Sequence, residues 1–300
     1  KSINRNTEEC MIEIDNEMEK IVKLNIKDPK IVITGGEATI RKDFYDICDY
    51  ALKKGFTFIE LQTNGRSFSD MNLTRKIFTS FPIRASIAIH GPDAEIHDKV
   101  TQKTGSFDQT VAGIKNIKNL NGKVWGKIVI SKVNHPYLLE TVKLCESLGI
   151  LGLNIAFPHS SISDKRFYNY VPRYSDIQEN IREVIEYFSE RDLLIDFEAI
   201  PLCLLPGSEE LASENRLGDD KRQDYVCAIA SKTKDWKKIR IQIKAKVKSC
   251  KTCLLDNICE GVWEEYIKNY GGEELKPVTD LKEFIRIMSR ITIYKKYRGL

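Results

Sequence analysis

The chain has 300 residues, with 47 Lys and Arg against 43 Asp and Glu for a formal charge of +4, and it is 42% hydrophobic and 30% charged. That length suits one large domain or a main domain with an appendage, and the composition excludes low complexity and disorder. The charges are interspersed, no apolar run reaches the roughly 18 residues of a spanning helix, and no charged-then-apolar leader opens the chain. The sequence therefore reads as cytoplasmic, without a membrane or nucleic-acid partner.

In chain order, Met11, Ile14, Met18 and Ile21 repeat at three and four behind Thr7, which reads as an N-cap followed by Glu8 and Glu9. A first strand is predicted over Lys30–Thr34, and a second helix from the stripe Phe44, Ile47, Cys48, Ala51 and Leu52, stopped by Gly55. Further strands are expected over Thr57–Gln62, Ile83–Ile89, Val124–Ser131 and Leu151–Phe157, each nearly continuous in apolar character, as strands covered on both faces are. Leu138, Val142, Cys145 and Leu148 mark another helix, Tyr174–Arg191 a longer one, and Leu193–Ile200 one more strand. The alternation implies right-handed βαβ units and a parallel α/β sheet, either open or curved toward a barrel. From Pro201 the text becomes irregular, which places a boundary there and divides the chain into 1–200 and 201–300. The tail from Leu281 is basic and helical at its start.

Polar and glycine-rich clusters stand where strands end: Thr34-Gly35-Gly36-Glu37, Gln62-Thr63-Asn64-Gly65 and Ile89-His90-Gly91. In parallel α/β folds ligands bind at these carboxyl ends, so all three would face one pocket. Paired glycines let a ligand approach the backbone, and carbonyls beside a carboxylate suit an ammonium group. The motif lacks the features of a phosphate loop. His90 and His97 do not have a recognised metal-ligand spacing, and loop polarity accounts for them better.

The eight cysteines, in a chain without an export signal, point to metal or redox chemistry rather than disulfides. Cys48 and Cys145 fall on apolar helical stripes and read as core, as does Cys10. Cys250-x2-Cys253-x5-Cys259 can reach one metal centre, with Cys203 or Cys227 as fourth ligand, and tetrahedral thiolates suit zinc or an iron–sulfur cluster.

Taken together, Lys30–Arg41 (KIVITGGEATIR), Ile59–Gly65 (IELQTNG) and Arg84–Ile117 resemble the second, third and fourth strand motifs of radical S-adenosylmethionine (radical SAM) enzymes, and Lys127–Asn134 and Leu151–His159 resemble the fifth and sixth. The C-terminal cysteines resemble part of the auxiliary-cluster pattern of SPASM or Twitch extensions. The resemblance implies a partial (β/α)6 TIM-like barrel over 1–200 and an auxiliary iron–sulfur region over 201–300. It implies an enzyme in which a 4Fe-4S cluster chelates S-adenosylmethionine and reductively cleaves it to a 5′-deoxyadenosyl radical, which abstracts hydrogen from a peptide or small-molecule substrate. Ferredoxin or flavodoxin would be the reductant. By position, Gly35, Gly36 and Glu37 would hold the methionine amino group, Ser86 the carboxylate or ribose, and Asn134 would lie near the adenosine. Cys250, Cys253 and Cys259, with Cys203, would hold an auxiliary 4Fe-4S cluster. Ala38 replaces the family's proline, and Trp263 stands where the fuller pattern has a further cysteine. The family's C-x3-C-x2-C motif occurs nowhere in the sequence. It is expected before Lys1, so the chain by itself is expected to be inactive. A non-catalytic relative, binding a ligand or partner and stapled by a cluster or zinc, is the alternative.

Overall fold

The computed structural model describes residues 5–150, 152–159, 166–189, 191, 193–216, 225–228, 240 and 242–297, with residues 216 and 225–228 described by backbone alone. The irregular stretch 217–224 and the side chain of Cys227 lie outside that description. Helix α1 (Thr7–Lys23) is capped by Asn6 rather than Thr7: Asn6 Oδ1 accepts from Glu9 N at 2.8 Å, and the Glu9 carboxylate accepts from Asn6 N at 2.8 Å. This reciprocal box satisfies two end donors, and it leaves the Thr7 hydroxyl to bond Asp43 at 2.5 Å.

The main sheet then alternates with helices: β1 (Lys30–Thr34), α2 (Phe44–Lys53), β2 (Phe58–Thr63), α3 (Met71–Ser80), β3 (Ile83–Ala88), α4 (Ala94–Thr101), α5 (Ser106–Asn119), β4 (Lys123–Val129), α6 (Leu138–Ser147), β5 (Gly152–Ala156), the single turn α7 (Phe167–Tyr170), α8 (Tyr174–Ser189) and β6 (Leu194–Glu198). A seventh strand, β7 (Tyr225–Ala228), gives the order β6-β5-β4-β3-β2-β1-β7, with every pairing parallel. From β1 to β6 the order never reverses, so with right-handed crossovers the helices all fall on one face. The fold is α/β of the partial-barrel type. β7 follows Pro201 in sequence yet pairs Cys227 with Ile33 and Ala228 with Thr34.

β2 and β4 alternate between buried and more exposed residues, contrary to the expectation of two covered faces, whereas β1 buries Ile31, Val32 and Ile33 in succession. Ile31, Ile33, Ile59, Leu61, Ile87, Ile128, Ile155 and Phe197 join the helix residues Ile14, Ile47, Ile77, Ile114, Val142 and Ile177 in one packed core. Burying each such side chain contributes about 1.5–3 kcal/mol. The opposite face carries Glu60, Gln62, Arg84, Ser86, Trp125, Lys127, Asn154, Asp196 and Glu198, and strand register sets these side by side. A polar inner wall reads as an alternating strand, which a mean over the segment conceals.

The remainder is β8 (Lys244–Ala245) paired antiparallel to β9 (Val262–Trp263), then α9 (Glu264–Tyr270) and α10 (Leu281–Tyr297). No helix among the described residues is long and apolar enough to cross a membrane.

Candidate functional site

The C-terminal ends of β1, β2 and β3 meet as the sequence implies. Gly35 and Gly36 have φ of 101° and 55°, which L side chains rarely adopt. A Cβ built on Gly36 meets nothing within 4 Å. The glycine there is required by backbone conformation beside open space, not by packing. Glu37 then turns its carboxylate back into the protein. Its Oε1 accepts from Thr39 N (3.2 Å), Thr39 Oγ1 (2.6 Å) and Thr63 Oγ1 (2.8 Å), and its Oε2 accepts from Asn64 N (2.8 Å). The β1 turn is thereby tied to the end of β2. Each carboxylate oxygen offers about two acceptor positions, so Oε2, with one donor, keeps one free. Thr34 Oγ1 also bonds Gln62 Oε1 across the same pair of strands at 2.7 Å.

The loop after β2 is pressed close to α5. Thr110 Oγ1 donates to Asn64 O at 3.0 Å, and a Cβ on Gly113 would lie 2.2 Å from the Gly65 carbonyl oxygen. Ser86 is buried on the inner face of β3, in register with Gln62 and Trp125. Asn134 lies after β4, where its amide accepts from Ser131 N (2.7 Å) and Oγ (2.9 Å) and donates to Val129 O (3.0 Å). Its side chain is spent closing that loop. His90 follows β3. Its N–H donates to His97 Nδ1 at 3.1 Å, while its own Nδ1 is enclosed without a partner. Burial, followed by the neighbouring His97, pushes the His90 imidazole down to about 4.

The second assembly is made by cysteines. Cys203, Cys250, Cys253 and Cys259 line one pocket of about 400 Å³ including its mouth, together with Lys246, Asp256 and Lys276. Cys203 arrives on the 3-10 turn that follows β6, and Cys250 on the turn Lys248–Thr252. Gly261 N donates to Cys259 Sγ and Val278 N to Cys253 Sγ, each at 3.4 Å. Burial, then the Cys259 thiol, pushes Cys203 up to about 12, and burial also raises Cys259. Among the described residues no three His, Cys, Asp or Glu close on a single-ion geometry. The four cysteines nonetheless line the same pocket. Cys227 sits in β7 opposite Ile33. Cys10, Cys48 and Cys145 are fully buried in helices, and burial pushes Cys145 up to about 12.

Between the two assemblies lies a charge network that the sequence did not disclose. Arg240 bonds Glu198 (3.1 Å), Glu214 (2.6 Å) and Glu260 (2.7 Å), while Lys244 bonds Glu214 (3.0 Å) and Glu260 (2.8 Å). Lys127 on the inner wall reaches Glu198 at 3.2 Å. The side chains of Arg240 and Lys244 are 4% and 1% exposed, and Trp263 covers them at 5.6 and 5.0 Å. The partners are separated in sequence by up to 71 residues, so no local spacing could have revealed them.

Comparison with known proteins agrees with this geometry. A 130-residue stretch is 32% identical to an AdoMet-dependent heme synthase of Oleidesulfovibrio alaskensis, covering 43% of this chain and 33% of that protein. A 146-residue stretch is 30% identical to the mycofactocin maturase MftC of Mycolicibacterium smegmatis, covering 48% and 34%. The chain thus spans about a third of the length of these curated relatives. The solved structure of native anSMEcpe with bound AdoMet and Cp18Cys peptide has the same fold, with a TM-score of 0.58 at 14% identity over 95% of this chain and 89% of that one. Residues 5–145, just under half of the chain, match the model of the Radical SAM superfamily.

Proposed function

We propose that this chain is the S-adenosylmethionine-binding barrel of a radical SAM enzyme, joined to a C-terminal iron–sulfur region and acting on a peptide or small-molecule substrate. The observation that carries the reading is the pair of left-handed glycines at the end of β1 with open space beside Gly36. The carbonyls of Gly35 and Gly36 and the free position on Glu37 Oε2 suit the ammonium of the cofactor's methionine end. Ser86, one strand beyond Gln62, would meet the carboxylate or ribose. Asn134 shapes the loop after β4 and would act on the adenosine side only through that loop. The Cp18Cys peptide bound to anSMEcpe supports a peptide substrate.

The cysteine pocket fits an iron–sulfur cluster. Its four cysteines line one pocket, and backbone N–H groups donate to two of the sulfurs. When bound, the cluster would supply one-electron chemistry. Its thiols must lose their protons to bind it, so loading releases acid. The sequence contains no C-x3-C-x2-C, and the helix-buried Cys10, Cys48 and Cys145 do not fit the cluster that chelates S-adenosylmethionine. No step is assigned through that cluster.

Equilibrium dialysis of labelled S-adenosylmethionine against the purified chain tests the reading, alongside iron and sulfide analysis after anaerobic reconstitution. The expected result is saturable binding that Gly36→Val weakens, with a loss of thermal stability as well because a β-branched side chain is strained at a φ of 55°, and about four irons and four sulfides per chain. Absent binding, or equal binding by the variant, would refute the cofactor site. Zinc without sulfide would refute the cluster.

A further inference from the structure

The aromatic side chains beside the cysteine pocket form a continuous stack. Phe157 directly follows β5 and bonds Glu198 O through its N–H at 2.8 Å, so it stands where β5 and β6 both end. Its ring stacks on Tyr174 at 4.1 Å, Tyr174 meets Tyr266 at 4.6 Å, and Tyr266 meets Tyr270 at 5.2 Å. Tyr174 is fully buried, and burial pushes its phenol well above the usual tyrosine range. The stack runs inward from the strand ends.

The three tyrosines differ in what their hydroxyls face. Tyr174 donates to the Ala199 carbonyl at 2.9 Å and Tyr270 to the Val171 carbonyl at 2.7 Å, and a carbonyl does not take a proton at neutral pH. Tyr266 donates to the Glu274 carboxylate. Glu274 is held by Ser175 N at 3.2 Å, and although its burial favours the acid, bonds from Ser175 and Tyr266 keep its carboxyl below the usual range. A buried phenol thus faces an ionised base. Onward passage is opposed at Tyr270, because the Arg173 guanidinium lies 4.5 Å from that ring and disfavours positive charge on it.

We propose that Tyr266 and Glu274 form a redox-active pair that traps an oxidising equivalent from the strand ends, the electron passing across the Phe157–Tyr174 stack without either ring being oxidised. A one-electron oxidant at the strand ends takes an electron from Tyr266 while the phenolic proton passes to Glu274 Oε2. The products are a neutral phenoxyl radical, a carboxylic acid and the reduced oxidant. The biological role, protection of the barrel from a stray radical, rests on the proposed radical chemistry. The pair itself does not.

Flash photolysis of the full chain with ruthenium tris-bipyridine and a sacrificial acceptor, followed by freeze-quench electron paramagnetic resonance, tests the pair without S-adenosylmethionine or iron. The expected result is a long-lived tyrosyl signal that Tyr266→Phe abolishes and Tyr45→Phe leaves intact. Glu274→Gln keeps the phenol and a hydrogen-bond acceptor, and it should lose most of that signal while its melting temperature stays close to wild type. In the wild type the yield should hold through neutral pH and fall only below the usual carboxylate range, as Glu274 protonates. An equal signal lifetime in wild type and Glu274→Gln would overturn the proposal and leave only aromatic packing. Failure of S-adenosylmethionine to bind would leave this result untouched.

Discussion

Replacing Arg240 with Met removes a cation that contacts three carboxylates and is 4% exposed, while keeping much of the stem that lies near Trp263. Three anions, Glu198, Glu214 and Glu260, are left with Lys127 and Lys244. Breaking a buried pair by deleting one partner costs about 3–5 kcal/mol, because the remaining charge stays desolvated. At about 2–4 °C per kcal/mol for chains of a few hundred residues, the melting temperature should fall by roughly 10 °C. The sign with pH is also fixed. Burial raises Glu198 and Glu260, but Lys127 and Arg240 for the first, and Lys244 and Arg240 for the second, outweigh it and hold both below the ordinary glutamate value. Their contribution is full above that ordinary value and is lost as pH falls through the depressed ones. In the variant the carboxylates protonate more readily, so the deficit should be largest above about pH 5 and shrink below about pH 4. Urea and thermal melts of wild type and Arg240→Met across pH 3.5–8 measure this, and Glu260→Gln in the variant background should recover part of the loss. A loss under about 1 kcal/mol, or one that does not depend on pH, would refute the electrostatic account.

Gly113→Ala should destabilise by about 1–3 kcal/mol and weaken S-adenosylmethionine binding, since its Cβ would overlap the Gly65 carbonyl 2.2 Å away; a calorimetric melt paired with a binding isotherm checks both. His90 should remain neutral down to about pH 5 in an imidazole NMR titration. Its depressed pKa means stability is full above about 6.5, the ordinary histidine value, and lost as pH falls toward 4. Cys203→Ser should lower bound iron and sulfide, whereas Cys227→Ser should leave them unchanged; the reverse outcome would move the fourth ligand to β7.

Strand positions were legible because β-branched runs end in glycine clusters, and the end of β1 at Thr34-Gly35-Gly36-Glu37 appears where expected. The inner wall was not. Glu60, Arg84 and Lys127 alternate with isoleucines and glycines in segments whose average character is apolar, and only register shows that they share a face. Glu37 was read as a ligand for an ammonium; that four of this chain's own donors also hold it requires knowing that β1 and β2 are neighbours. Asn134 was placed near the adenosine by position in a motif, and the part its amide plays in the turn after β4 was not legible. Cys250, Cys253 and Cys259 were legible from spacing, and the resemblance pointed to Cys203, which the turn after β6 brings to the same pocket. Helix α3 went unassigned because its stripe is short and interrupted by polar residues.

A crystal structure of the chain with S-adenosylmethionine tests the central claim most directly. The account predicts the methionine ammonium within hydrogen-bond distance of the Gly35 or Gly36 carbonyl or Glu37 Oε2, over the end of β1. A cofactor bound elsewhere, with that turn unchanged and solvent-filled, would contradict it.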